Sequence, residues 1–248
     1  MKRYFILLFI LVLTSSKVQS QVLISLLFGD KLNSENIEFG LDGGANFPYL
    51  KGTPSQISSN FYLGFYFDIN IKQNPKWVFN TGVIVKSTLG AEDIEVYSLN
   101  NPELDASFES GSIQRKINYF NVPLVIKRKL GQRFYLGMGT MLGLRYKAHD
   151  VFTNKVVDND DLSYSLDIKD QTTALDAGLM ASINYKLMSN MGMNLNLKYY
   201  YGLVNINKVE AQGKHYNRSI YLGVCIPIGS GKSKKAREKE ASSAGETN

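Results

Sequence analysis

The residues able to do chemistry fall into three groups. His149 and His215 are the only histidines in 248 residues. His149 is followed by Asp150, and Ser163 lies thirteen positions on, so a Ser-His-Asp hydrolase or acyltransferase arrangement can be drawn. No nucleophile elbow and no zinc-ligand spacing accompanies these residues. Two solvated loop histidines are therefore the expectation, and a lipid-modifying enzyme is the weakest of the functional readings. The second group is acidic. The stretch Ala91 to Ile113 holds Glu92, Asp93, Glu95, Glu103, Asp105 and Glu109 without a lysine between them, and Asp158, Asp160, Asp161 and Asp167 follow further on. Clustered oxygens can hold Ca²⁺, but the full EF-hand spacing is missing, so solvated acidic loops are expected. The third group consists of Asp42, Asp68, Lys86, Arg145, Asp176 and Lys198, charges embedded in otherwise apolar alternating segments. Charges of both signs there predict a neutralising network on one face of a sheet, since unpaired buried charge is costly.

The elements that carry the third group are strands. In FYLGFYFDINIK (Phe61 to Lys72), Phe61, Leu63, Phe65, Phe67, Ile69 and Ile71 share one face, while Tyr62, Tyr66, Asp68, Asn70 and Lys72 share the other. Successive strand residues point to opposite sides. The pattern repeats in eight segments: 37–47, 61–72, 77–90, 117–127, 133–147, 172–187, 193–204 and 219–228. No helical period stands out between them. Several segments reach the nine to eleven residues needed to cross a bilayer at a tilt.

Alternation alone leaves open which face is inside, and a secreted lipocalin-like barrel with polar residues outward is the competing fold. Two arguments favour an inverted arrangement. The apolar parity carries no charge in any segment, as lipid demands, because Arg or Lys at a bilayer midplane costs about 2–4 kcal/mol. The apolar faces also supply roughly forty mostly large side chains, whereas an eight-stranded barrel has room for few. The opposite parity is rich in glycine. Connections after segments two, four and six are short, and those after one, three, five and seven are longer, so all short turns lie at one end. The expectation is an all-β, eight-stranded antiparallel up-and-down transmembrane β-barrel. The short turns and both termini would face the periplasm of a cell outer membrane. Aromatics cluster at both ends of the apolar faces, as interfacial girdles do.

The flanks divide the chain further. MKRYFILLFILVLTSSKVQS has a basic start, a short apolar run and small residues at its end, the pattern of a signal peptide over 1–20. A lead-in segment over 21–36, a barrel over 37–228 and a basic periplasmic tail over 229–248 follow. The tail is poor in apolar residues and is expected to be disordered. Net charge is +6, of which three charges leave with the signal and two belong to the tail, so the body carries roughly +1. That balance gives no basic surface for nucleic acid. Cys225 is the only cysteine and is expected to be a buried, inert thiol, so the fold has no internal disulfide. Pro123, unable to donate to a ladder, predicts a bulge.

With those elements placed, the chain resembles the PorT-like outer-membrane β-barrel family of Gram-negative bacteria. The resemblance rests on LISLLFGDKLNSENIEFGLDGGANF (Leu23 to Phe47) and on INYFNVPLVIKRKL (Ile117 to Leu130), which contains a Tyr119-x-x-Val122-Pro123-Leu124 pattern. It implies an outer-membrane barrel and, through the family's namesake, an accessory role in type IX protein secretion. It implies no catalytic residues, no cofactor and no metal. Implied partners are outer-membrane lipid and lipopolysaccharide, and other secretion or envelope proteins. A narrow pore or solute transporter is the alternative.

Overall fold

The computed structural model of the protein describes residues 34, 36–71, 74, 76–154, 162–187 and 192–228. The expected signal peptide, most of the lead-in, the tail, and Asp158, Asp160 and Asp161 lie outside the described residues. Within them the strands are β1 (Ile37–Lys51), β2 (Asn60–Asn70), β3 (Trp77–Lys86), β4 (Thr88–Ile94), β5 (Ser112–Leu130), β6 (Phe134–Asn154), β7 (Leu162–Asp167), β8 (Leu175–Lys186), β9 (Asn194–Gly202) and β10 (Tyr216–Pro227). One short helix, α1 (Pro102–Phe108), stands between β4 and β5.

Eight strands close into a ring in the order β1, β2, β3, β5, β6, β8, β9, β10, with β10 returning to β1, and every pairing is antiparallel. This is the expected up-and-down barrel, and closure leaves it no edge. β4 and β7 stand outside the ring count. β4 continues the line of β3 along β5, and β7 pairs with the far end of β6. The connections β2–β3, β5–β6 and β8–β9 are short and lie at one end. Gly131 and Gly192, both at φ +68, sit in two of them, a left-handed backbone that glycine adopts freely.

The faces follow the alternation. Leu136, Leu142 and Leu144 of β6 are about half exposed on the outside, and Met138 reaches 74 %. Tyr62, Tyr119, Tyr200 and Tyr221 are buried inside. Room for the inward tyrosines comes from glycines one or two strands away. A Cβ on Gly40 would lie 2.4 Å from the Tyr66 ring, and one on Gly223 would lie 2.1 Å from the Tyr62 hydroxyl.

β5 and β6, at 19 and 21 residues, are longer than the apolar belt requires. From Phe134 to Leu144 the outward side chains are uncharged and, Thr140 apart, apolar; at a rise of about 3.4 Å per residue and a tilt near 45°, that segment projects roughly 25 Å, the height of a lipid-facing band. The rest of both strands rises past the ring. There, with β4, β7 and α1, it forms a cap whose polarity is reversed. Ile113, Ile117, Ala148 and Phe152 point inward and are fully buried, whereas Ser112, Gln114, Lys116 and Asn118 point outward. The core continues through Leu89, Ile94, Phe108 and Ile168, with Tyr97 and Leu99 packed against it.

Two bulges mark the change. The β2–β3 register shifts so that Leu63 opposes Lys86 while Gly64 opposes Ile84, which leaves Val85 as the extra residue. The β5–β6 register shifts so that Asn118 opposes Lys147 while Tyr119 opposes Arg145, which leaves Tyr146 extra. Pro123, where a bulge was expected, has none. The β3–β5 ladder runs in constant register from Thr81–Leu124 to Ile84–Asn121, so the missing donor is absorbed by pairs left unmade, with no residue inserted.

Candidate functional site

Charged and hydrogen-bonding side chains inside the protein form layers along the barrel axis. Nearest the short turns, Lys127 Nζ lies 2.9 Å from Asp68 Oδ1, and Asn80 Nδ2 donates to the same oxygen at 2.6 Å. One layer deeper, Lys198 pairs with Asp42. Asn196 Nδ2 donates to Asp42 Oδ1 at 3.0 Å, and the Tyr62 hydroxyl stands 3.0 Å from that oxygen and from Asn196 Oδ1. Cys225 lies in the same layer, its Sγ 3.2 Å from Asn196 Nδ2, buried and unpaired as a disulfide partner.

Above these pairs the tyrosines fill the cross-section. Tyr62 and Tyr221 meet edge-to-face at 5.1 Å, and Tyr119 and Tyr200 arrive from β5 and β9. The Tyr221 hydroxyl is 3.2 Å from Ser87 Oγ. Asp176 lies at this level and receives Asn217 Nδ2 at 2.8 Å, with the Tyr200 hydroxyl beside it. It is in no salt bridge among the described residues. A cavity of about 70 Å³ opens at the short-turn mouth between Glu38, Asp68, Lys127 and Lys186. The space next to it along the axis, beside Asp42 and Lys198, is about 10 Å³, room for about one water.

The cap holds a further layer. Arg115 grips Asp150 through both oxygens, Nε to Oδ1 at 2.8 Å and Nη2 to Oδ2 at 2.6 Å, and both side chains are buried. The Tyr97 hydroxyl donates to Asp150 Oδ2 at 2.9 Å. His215 Nδ1 lies 3.3 Å from Arg115 Nη1. Burial and the neighbouring guanidinium hold the His215 imidazole below its usual range, although Asp150 and a backbone contact pull the other way. A bidentate pair of this kind is geometrically selective, and removing one partner from a buried pair costs about 3–5 kcal/mol.

The structure thus separates the six charges grouped from sequence. Asp42 and Lys198 meet. Asp68 meets Lys127, a residue the sequence reading passed over. Arg145 donates to the Lys169 carbonyl and to Thr172 Oγ1 and so pins the connection between β7 and β8; it is in no salt bridge among the described residues. Lys86 is not in the lumen. The bulge at Val85 turns it to the outer surface, where its Nζ stands 5.6 Å from the Phe61 ring centroid. The pairing of Arg115 with Asp150 was also missed, though alternation about Ile113 and Ile117 places Arg115 on the buried parity.

The His149, Asp150 and Ser163 grouping is not assembled. His149 and Asp150 are consecutive strand residues on opposite faces, and Ser163 pairs with Thr153, four residues beyond His149. The acidic loop is structured. Asn101 caps α1 by accepting from the Glu103 and Leu104 amides, with Pro102 opening the helix. Glu92 accepts from Ser58 and Gln114, Asp93 from Gln56, and Asp105 from Ser98 and the Leu99 amide. Those last two contacts hold Asp105 below the usual carboxylate range. Among the described residues no group of acidic, His or Cys side chains is arranged to hold a metal.

Sequence comparison matches residues 19–208 to the outer membrane protein beta-barrel domain. No curated protein matches the chain in sequence. Solved structures of similar shape include Ail, the attachment invasion locus protein of Yersinia pestis, at 12% identity over 78% of this chain and 99% of that one, with a TM-score of 0.41. Neisserial surface protein A is similar at 9% identity over 77% and 96%, TM-score 0.36. OprG of Pseudomonas aeruginosa is similar at 13% identity over 77% and 94%, TM-score 0.31. At these identities the likeness concerns fold alone. The family match covers well over half of the sequence and agrees with a closed eight-stranded ring that is apolar outside and polar within: the chain belongs to the outer membrane protein beta-barrel domain family.

Proposed function

We propose that this barrel is a membrane anchor for a rigid cap and has a non-enzymatic, structural or accessory role in the envelope. The observation that carries the reading is the filled lumen. Four buried tyrosines from four strands occupy its cross-section, and the cap core sits above them. In this reading the short turns and both chain ends face the periplasm, and the cap stands outside the cell. Asp42, Asp68 and Asp150 each have a cation.

The PorT-like resemblance of Leu23 to Phe47 and Ile117 to Leu130 supports a place in protein export, where the cap surface would meet other secretion or envelope proteins. Deleting the gene should reduce release of exported proteins, with restoration by the intact chain; unchanged release in the deletion strain would overturn the secretion role. A narrow pore makes a different prediction. Purified protein in planar bilayers is expected to give no discrete ion current, and reproducible current steps would replace the anchor reading with a conducting one.

A further inference from the structure

Both bulges perform the same operation. Had the register run on unbroken, Lys86 would oppose Tyr62 on the lumenal parity of β3, and Lys147 would oppose Ile117 on the lumenal parity of β6. Each insertion carries a lysine to the outer surface, and re-aiming a side chain is what bulges at barrel rims do. β5 runs between these two strands and contributes Lys116 to the same outer face. Asn118 opposes Lys147, and Lys116 opposes His149, so Lys116 and Lys147 are diagonal neighbours, about 7–8 Å apart at Cα. Lys86 falls between the Ile84–Asn121 and Thr88–Asn118 pairs, beside Phe120.

None of the three lysines is in a salt bridge with a described carboxylate. Of the charged groups on adjoining strands, Glu92 is held by Ser58 and Gln114, and Asp167 opposes His149. Directly below the lysines, on the side of the apolar belt, Phe120 and Tyr146 stack at 4.5 Å and are about 40 % exposed, with Leu142 and Leu144 beneath. Phe61, two residues toward the cap from Leu63 on β2, flanks Lys86 from the cap side. The surface is therefore graded: three cations that no described carboxylate pairs, then an aromatic shelf, then an aliphatic wall.

We propose that the outer face of β3, β5 and β6 at the level of the two bulges binds the phosphate groups of a phosphorylated glycolipid in the leaflet that surrounds the cap. Lys86, Lys116 and Lys147 neutralise the phosphates, the stacked Phe120 and Tyr146 lie against the sugar and upper chain, and Leu142 and Leu144 meet acyl chains. Ammonium groups act as point charges toward phosphate, and the aromatic shelf suits the boundary between headgroup and chain. A soluble polyanion would satisfy the lysines but leave the shelf and wall uncovered, which is why the occupant is a lipid. The proposal rests on the outward-facing cap in the reading above.

The test uses the full-length protein refolded in neutral detergent, with bisphosphorylated lipid A as the probe and native mass spectrometry as the count of retained lipid. Wild type should retain lipid A, and the Lys86→Gln, Lys116→Gln, Lys147→Gln triple variant should lose at least tenfold in retention. Arg128→Gln, at the opposite rim, should retain it normally. Dephosphorylated lipid A should bind the wild type as weakly as lipid A binds the triple variant. Equal retention by wild type and triple variant would overturn the proposal, as would equal retention of the two lipids or competition by a soluble sulfated polysaccharide. The orientation is read separately. In a Cys225→Ser background, Asp93→Cys should be labelled by a membrane-impermeant maleimide on intact cells. Failure of that labelling alone would overturn the orientation and leave the lipid count standing as a property of the barrel.

Discussion

β5 and β6 pass through two environments, and the same inward parity means different things in each. Along β5, residues 119 to 127 present Tyr119, Asn121 and Lys127 inward and Phe120, Val122, Leu124 and Ile126 outward. A few residues earlier the inward positions are Ile113, Arg115 and Ile117, and the outward ones are Ser112, Gln114 and Lys116. The ring is a protein turned inside out, and the cap has the ordinary arrangement. The ring is held by lipid contact and a hydrogen-bond ladder without an edge, the cap by a dry core and one bidentate ion pair. A continuous strand can thus change solvent without changing its alternation. Only the chemistry on each face has to exchange.

The strongest way to break this comparison is to remove the cap's ion pair. Asp150→Ala leaves Arg115 buried without its partner and should cost the cap about 3–5 kcal/mol. Amide protection over 88–117, 147–154 and 162–167 should fall, while the barrel keeps its heat-modifiable mobility on gels. If the barrel unfolds with the cap, the two halves are one cooperative unit and the comparison fails. The next test places one charge on each outward surface of β6. Leu136→Arg should cost about 2–4 kcal/mol and cut the folded fraction, whereas Val151→Arg, outward in the cap, should stay within about 0.5 kcal/mol. Equal effects at the two positions would mean that the cap also meets lipid.

The smallest effect is a pH dependence confined to the cap. His215 is held neutral in the fold, so the unfolded chain takes up its proton first, near the ordinary histidine value of about 6.5. Its contribution is present in full above that value and is lost as pH falls below it. Between pH 7.5 and 5, cap protection factors should therefore decline and barrel protection should not, and His215→Gln should flatten the decline. Asp105 titrates in a separate, lower window. Held below the usual carboxylate range, it stabilises α1's approach above about pH 4 and loses that contribution only as acid reaches its folded value.

The ring was legible because alternation survives in every strand: Phe61 and Leu63 against Tyr62 and Gly64 give the face without any structure. Lys86 was not legible, because a bulge is a one-residue insertion that leaves composition and alternation looking intact on both sides. The cap was missed for a related reason. Ile113 and Ile117 continue the parity of Tyr119 and Asn121, and nothing local says that the surroundings have changed from lipid to water. The exchange of Ser112, Gln114 and Lys116 for Phe120, Val122 and Leu124 on the outward parity was the available signal. The acidic loop looked solvated because its carboxylates are numerous; several are acceptors that fix Gln56, Ser58 and the α1 approach, a role visible only once β4 pairs with β5. Of the interior charges, Asp42 with Lys198 follows from parity and sign, and Asp68 with Lys127 follows in the same way once Lys127, the last residue of its segment, is counted on the lumenal parity.

Cys225 has a further consequence. The protein's single thiol is buried in the layer of Asp42, Asn196 and Lys198, near the short-turn end of the ring and away from the cap. It is therefore a built-in chemical clock. A thiol reagent added to the native protein is held off by a space of only about 10 Å³ beside the thiol, so the rate of Cys225 modification times the opening of the barrel's short-turn end, without a label, a probe or an added cysteine, and it does not register motions that loosen only the cap.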